Sequence, residues 1–236
     1  MKKALATLAI VTLAAVAAHG QTITDWTFEG TATSTALTGT DFTYGPADTG
    51  SQTVGSLGAG HHASTATVWS FPAGNGSLKA FSSNNWAVGD YWQFSLNTST
   101  YSNIMLSWDQ AGSSTGPRDF KLAYSADGGM SFFDVSTYSV IVSGFSSSST
   151  NTAVHQGFDA SGITAINNNA AVIFRLIDNG TTAINGTGTV ASAGSDRVDN
   201  FTVTGVAAVP EPSVLGMVGL GAALVIGAFK YRRRSA

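Results

Sequence analysis

Three histidines stand where a general base or a metal ligand would be sought: His61 and His62, adjacent in a glycine-rich stretch, and His155 far along the chain. Adjacent side chains on a strand or loop usually diverge, and no third ligand at metal-site spacing accompanies the pair, so neither a base nor a metal centre is expected there. Serine is abundant, yet no Gly-x-Ser-x-Gly segment presents one as a nucleophile. Cysteine is absent, which removes thiol chemistry. Asp196 and Asp199 offer paired carboxylates of the type used in glycoside hydrolysis, a chemistry that depends on an inter-carboxylate distance which one sequence does not give. A non-enzymatic protein is therefore expected, with a surface glycoside hydrolase of unrecognised site as one alternative.

Binding chemistry is the other possibility carried by residue type. Trp69, Trp86, Trp92 and Trp108 are numerous for a domain of this size, and aromatic faces rimmed by Asn, Gln and Asp suit sugars. Trp92 and Trp108 fall on inward-looking strand patterns. Trp86, within Ser82-Ser83-Asn84-Asn85-Trp86, is the expected surface residue and the candidate ligand contact.

The elements that must position these residues read as strands. Residues 23–29, 66–71, 90–96, 104–108, 119–125, 131–135, 139–142, 170–177 and 197–204 carry β-branched or aromatic residues at period two. Trp92, Phe94 and Leu96 alternate with Tyr91, Gln93 and Ser95, while no stretch of the body sustains a helical period over three turns. Ser125-Ala126-Asp127-Gly128-Gly129-Met130-Ser131-Phe132 fits an Asp-box hairpin, in which Asp127 caps its own turn and the glycines take positive φ. The expected fold is all-β: an antiparallel sandwich with a jelly-roll topology, residues 21–207.

Both ends differ from this body. Lys2 and Lys3 precede an apolar stretch from residue 4 to 18, and Ala18 and Gly20 supply the small residues of a cleavage site, so residues 1–20 read as a secretory signal helix. Near the other end, Pro210-Glu211-Pro212 precedes an uncharged run over 214–229 and then Lys230, Arg232, Arg233 and Arg234. Sixteen helical residues span about 24 Å, and the basic cluster holds its end on the cytoplasmic side of a membrane. The prolines and Glu211 belong at the outer surface.

With those segments set aside, the body has five basic residues against thirteen Asp and Glu, a net charge of −8. Such a surface repels phosphate backbones, so nucleic acid is not an expected partner. Neutral glycans and divalent cations are compatible with it.

Pro210-Glu211-Pro212, the Gly-rich apolar run and the terminal Arg cluster together resemble the PEP-CTERM sorting signal, over residues 208–236. The resemblance implies recognition by a membrane-embedded exosortase, a transpeptidase that cuts near the tripeptide. It also implies a transient inner-membrane anchor and delivery to the cell surface or an exopolysaccharide matrix. The body from 119 to 205, through Leu122-Ala123-Tyr124-Ser125, the run 167–177 and Arg197-Val198-Asp199-Asn200-Phe201, resembles secreted bacterial β-sandwich ectodomains. Trp26-Thr27-Phe28-Glu29 paired with Asp199-Asn200-Phe201 looks like jelly-roll carbohydrate-binding modules, which implies a structural calcium ion held by Glu29 and Asp199. A carbohydrate-binding module is accordingly the first alternative to a structural matrix role.

Overall fold

A computed structural model describes residues 20–30 and 36–208 of the chain. The expected signal helix, the expected membrane helix, Pro210, Glu211, Pro212, Lys230, Arg232, Arg233 and Arg234 lie outside these residues. No helix among the described residues is long and apolar enough to cross a membrane.

The described chain is all-β, with two single-turn 3₁₀ helices as its only helical elements. Fourteen strands, numbered along the chain, divide into two sheets. One contains β3 (Asp41–Gly45), β4 (Leu57–His61), β7 (Tyr91–Leu96), β9 (Asp119–Ser125), β10 (Phe133–Ser139) and β13 (Val172–Asp178), in the order β10-β9-β13-β7-β4-β3. The other contains β1 (Gly20–Trp26), β2 (Leu37–Thr38), β5 (Val68–Ser70), β6 (Phe81–Ser83), β8 (Tyr101–Gly112), β11 (Ile141–Val142), β12 (His155–Asp159) and β14 (Asp196–Ala207). Pairing is antiparallel throughout except where β11 lies parallel to β8.

The two sheets meet face to face through aromatic rings. Trp92 and Phe94 of β7 are fully buried, as the period-two pattern requires. Phe94 stacks on Phe201 of the opposing sheet at 3.7 Å between centroids and 8° between planes, and Trp26 meets Phe94 at 5.1 Å. Trp108 is buried too, as its strand pattern predicts.

Strand β4 was hidden in the sequence because Leu57-Gly58-Ala59-Gly60-His61 reads as a loop. The glycines are there because indoles press on the strand. A Cβ on Gly60 would lie 2.4 Å from Trp69, and one on Gly58 would lie 2.8 Å from the Trp26 Nε1. Only a residue without a side chain lets the ring and the backbone approach so closely.

The Asp-box turn folds as its residues suggest. Ser125 Oγ donates to Asp127 Oδ1 at 2.6 Å, the Gly129 amide donates to Ser125 Oγ at 2.9 Å, and Asp127 also accepts from the backbone N–H of Ser131 at 3.0 Å and from its hydroxyl. Gly128 and Gly129 take φ of 73° and 97°. These donors hold the Asp127 carboxyl well below the usual carboxylate range.

Candidate functional site

Antiparallel register builds three rows across the outer face of the six-stranded sheet. The upper row runs Asp41, His61, Tyr91, Ile177, Lys121; the middle row Thr43, Ala59, Gln93, Arg175, Ala123; the lower row Leu57, Ser95, Ile173, Ser125. From the upper and middle rows rises a layered stack. His61 lies on Tyr91 at 5.1 Å and 28°, the Arg175 guanidinium carbon is 3.9 Å from the Tyr91 centroid, and it is 3.8 Å from the Phe132 centroid on its other side.

The two polar members of the stack are each fixed by a further contact. His61 Nδ1 is 2.6 Å from Asp41 Oδ1, and Arg175 Nε donates to Gln93 Oε1 at 2.8 Å. Partial burial between the rings lowers the Arg175 pKa from its usual value. Lys121 pairs with Asp134 at 2.9 Å at the edge of the same face. Among the described residues no carboxylate pairs with Arg175. Cation–π contact on both faces restrains the guanidinium plane and leaves its edge as the reactive surface.

The sequence-predicted ligand contact lies elsewhere. Trp86 is 6% exposed, a correction to its expected surface position. Its ring packs on His62 at 4.3 Å and on Trp92 and Phe120, while its Nε1 donates to the Ser83 carbonyl. Polar neighbours in sequence made it look exposed, whereas the turn at Asn85, at φ 56°, directs the indole inward. One edge of Trp86 still lines a shallow cleft of about 220 Å³ with Val88, Asp178, Thr181 and Val190.

Glu29 and Asp199 are brought to the same segment. Glu29 Oε1 accepts the Lys79 amide at 2.6 Å, and Asp199 Oδ2 accepts the Asn75 amide at 2.7 Å and the Ser77 hydroxyl at 2.8 Å. Asp199 Oδ1 takes the Asn200 amide at 2.9 Å. Burial pushes the Asp199 carboxyl up to about 7, against the lowering effect of these donors. Ser77 Oγ donates to both Asp199 and the Lys79 carbonyl oxygen, so oxygen atoms gather at this point, while among the described residues no three acidic or histidine side chains group as metal ligands.

The histidines separate, as adjacent residues on a strand end do. His62 is buried, with Nε2 3.1 Å from Ser83 Oγ and Nδ1 3.2 Å from Asp90 Oδ2. The second contact has ion-pair distance but not hydrogen-bond geometry, and Nδ1 has no hydrogen-bond partner. Burial pushes the His62 pKa down to about 4, so the ring is neutral. Ser83, His62 and Asp90 thus follow one another in the order of an acyl-transfer triad, but the three are at most 2% exposed. Trp69 and Trp86 close over the ring, so the cluster is an interior tether. His155 lies elsewhere, on Asp109 at 2.9 Å.

Asp196 and Asp199 share no partner. Asp196 Oδ1 accepts from Trp92 Nε1 at 2.8 Å and Gln110 Nε2 at 3.0 Å, and Gln110 Oε1 in turn accepts from Trp108 and Tyr138. Both carboxylates are completely buried, but on opposite faces of β14, whose register runs without a shift from Asp196 to Asp199; the bulge between Asp199 and Thr202, with Asn200 at φ 51°, lies beyond them. The stack of Tyr91, Arg175 and Phe132 was missed in the sequence. Outward positions of Tyr91 and Gln93 were legible, but their pairing with Arg175 needs the register of β7 on β13.

Residues 208–234 match the family model described as the PEP-CTERM protein-sorting motif. No curated protein matches the chain. Among solved structures, the chain is similar to the CBM22-1–GH10 modules of Clostridium thermocellum endo-1,4-β-D-xylanase 10B, complexed with xylohexaose. Identity is 12%, with 78% of this chain and 28% of that one covered, at a TM-score of 0.41. TmCBM61 in complex with β-1,4-galactotriose is 11% identical over 63% of this chain and 87% of that one, at a TM-score of 0.34. The K2 cleaved adhesin domain of Lys-gingipain is 15% identical over 76% and 96%, at a TM-score of 0.37. The chain spans little more than a quarter of the xylanase structure.

Proposed function

Because residues 208–234 carry a PEP-CTERM protein-sorting motif, we propose that this is a non-catalytic surface or extracellular-matrix protein of the exopolysaccharide or biofilm layer. An exosortase-type transpeptidase processes its inner-membrane-anchored precursor. The sorting motif is the single observation that carries this reading, with Pro210, Glu211 and Pro212 as the recognised element and Lys230, Arg232, Arg233 and Arg234 setting topology. Mass spectrometry of the protein recovered from cells tests it. The expected result is loss of the segment from residue 214 in the wild type and its retention in Glu211→Ala; a wild-type chain that keeps this segment overturns processing.

A second reading has the β domain holding a glycan, as a carbohydrate-binding module of jelly-roll type. The cluster of Tyr91, Gln93 and Arg175 on the outer sheet face supports it. On a glycan array the full-length protein should retain a ligand that Tyr91→Ala loses; an array with no retained glycan counts against it.

A structural calcium ion belongs to the same proposal. Glu29, Asp199 and the Lys79 carbonyl oxygen would hold it, and the ion would neutralise the buried Asp199 and tie the 75–79 segment to β14. Binding to the folded state alone raises the melting temperature. An unchanged midpoint between calcium and chelator removes the ion from the proposal.

A further inference from the structure

We propose that Arg175 reads a carboxylate, and that the glycan held on the outer face of the six-stranded sheet is an acidic one bearing uronic acid residues. This inference rests on the glycan-binding reading and narrows it to a ligand class.

A sugar ring needs a free aromatic face to stack on, and Tyr91 has none. His61 covers one side at 5.1 Å and the Arg175 guanidinium the other at 3.9 Å. What the stack presents instead is the edge of a guanidinium whose two faces are covered by Tyr91 and Phe132. Gln93 Oε1 occupies Nε, so the two Nη groups remain, and no acceptor among the described residues takes them. Two parallel N–H donors in a fixed plane match the two oxygens of a carboxylate. Clamping between rings lowers the side-chain entropy that the arginine would otherwise lose on binding.

Charge on this face supports the same ligand. Arg118 and Lys121 are each paired with an aspartate, Asp119 and Asp134, and Asp41 is occupied by His61. Arg175 therefore keeps an uncancelled positive charge in its own surroundings. The formal charge of −8 overstates the repulsion of an acidic glycan, because burial raises the carboxyl of Asp178 to about 7 and that of Asp196 well above the usual range. Beyond about 8 Å, physiological salt screens much of what remains. In the middle row Arg175 lies between Gln93, which takes only its Nε, and Ala123, so no long side chain of that row competes for the two Nη groups from the β9 side.

Titration calorimetry on the full-length protein in detergent tests the proposal, using oligogalacturonate, its methyl ester and neutral oligogalactose as probes. Oligogalacturonate should bind, and the methyl ester should bind at least about tenfold more weakly, since esterification removes a charged hydrogen-bond acceptor. Arg175→Lys should weaken oligogalacturonate binding about 10–100-fold while keeping the positive charge. Gln93→Glu, which keeps Arg175 and supplies an internal carboxylate beside it, should weaken binding as well. Near-ultraviolet circular dichroism checks that both variants remain folded. Neutral oligogalactose bound as tightly as oligogalacturonate, or oligogalacturonate binding unmoved by Arg175→Lys, overturns the uronate assignment and leaves glycan binding standing. Dextran sulfate bound as tightly as oligogalacturonate overturns carboxylate reading in favour of general anion attraction. Failure to bind oligogalacturonate overturns the uronate assignment, and an empty glycan array is what removes the wider reading.

Discussion

The seam between the two sheets and the outer face of the six-stranded sheet use the same residue types to opposite ends. In the seam, Asp196, Asp178 and His62 are buried, and their environments shift their pKa values away from those in water. On the outer face, His61, Asp41, Lys121 and Asp134 are paired across neighbouring strands while remaining in reach of solvent. Burial makes a polar group a structural commitment, because every unmet hydrogen bond there is a cost. Exposure leaves it available for ligands. The contrast places binding on the face with Arg175 and stability in the seam with the aspartates.

The largest difference between the regions should appear on truncation. Phe201→Ala removes the ring stacked on Phe94 across the seam and should destabilise the protein by about 3–5 kcal/mol, read from denaturant unfolding. An equally deep cut on the outer face that cost as much would erase the contrast.

The pH dependence sharpens it next. Asp178 and Asp199 have folded-state values near 7, above their unfolded value of 3.8. Between those values the folded state binds more protons, so their contribution is fully present below about pH 4 and is lost as pH rises through about 7. His62 runs the other way. Its folded value of about 4 lies below 6.5, so its contribution is present above about 6.5 and is lost as pH falls towards 4. Asp178 Oδ2 has no hydrogen-bond partner, so Asp178→Asn, neutral at every pH, should raise the melting temperature at pH 8 by about 2–4 °C or more. No gain is expected at pH 4, and an equal gain at both pH values would show that burial of charge is not the cause.

The smallest effect belongs to the surface pair. Lys121→Ala should change stability by only about 0.2–1 kcal/mol, since Asp134 keeps its water. Chemical denaturation that placed this loss near that of Phe201→Ala would contradict the division between seam and face.

These regions were unequally legible. Alternation in Tyr91–Leu96 already separates Trp92 and Phe94 from Tyr91 and Gln93, because side-chain direction in a strand has period two. Trp86 misled, since Ser82, Ser83, Asn84 and Asn85 make its neighbourhood look solvated although the left-handed turn at Asn85 carries the indole inward. The sequence around His61 and His62 does not announce a strand, because Gly58 and Gly60 interrupt the pattern that would mark β4. The reason for those glycines, contact with Trp26 and Trp69, lies 30 or more residues away for Trp26 and in the opposite sheet for both.

By itself the sequence determined the sorting motif over 208–234, the all-β class and the inward or outward direction of most strand residues. All three are local properties, written in contiguous residues or in a period of two. The tertiary structure decided which outward residues meet. Tyr91, Gln93 and Arg175 come from strands separated by roughly eighty residues; the antiparallel register of β13 on β7 sets the guanidinium on Tyr91, and the turn leading into β10 brings Phe132 against it. It also decided how two aspartates on one strand are both buried: Asp196 faces the seam against Trp92 and Gln110, whereas Asp199 lies on the other face of β14 beneath Asn75 and Ser77, a cover that no periodicity in the sequence announces.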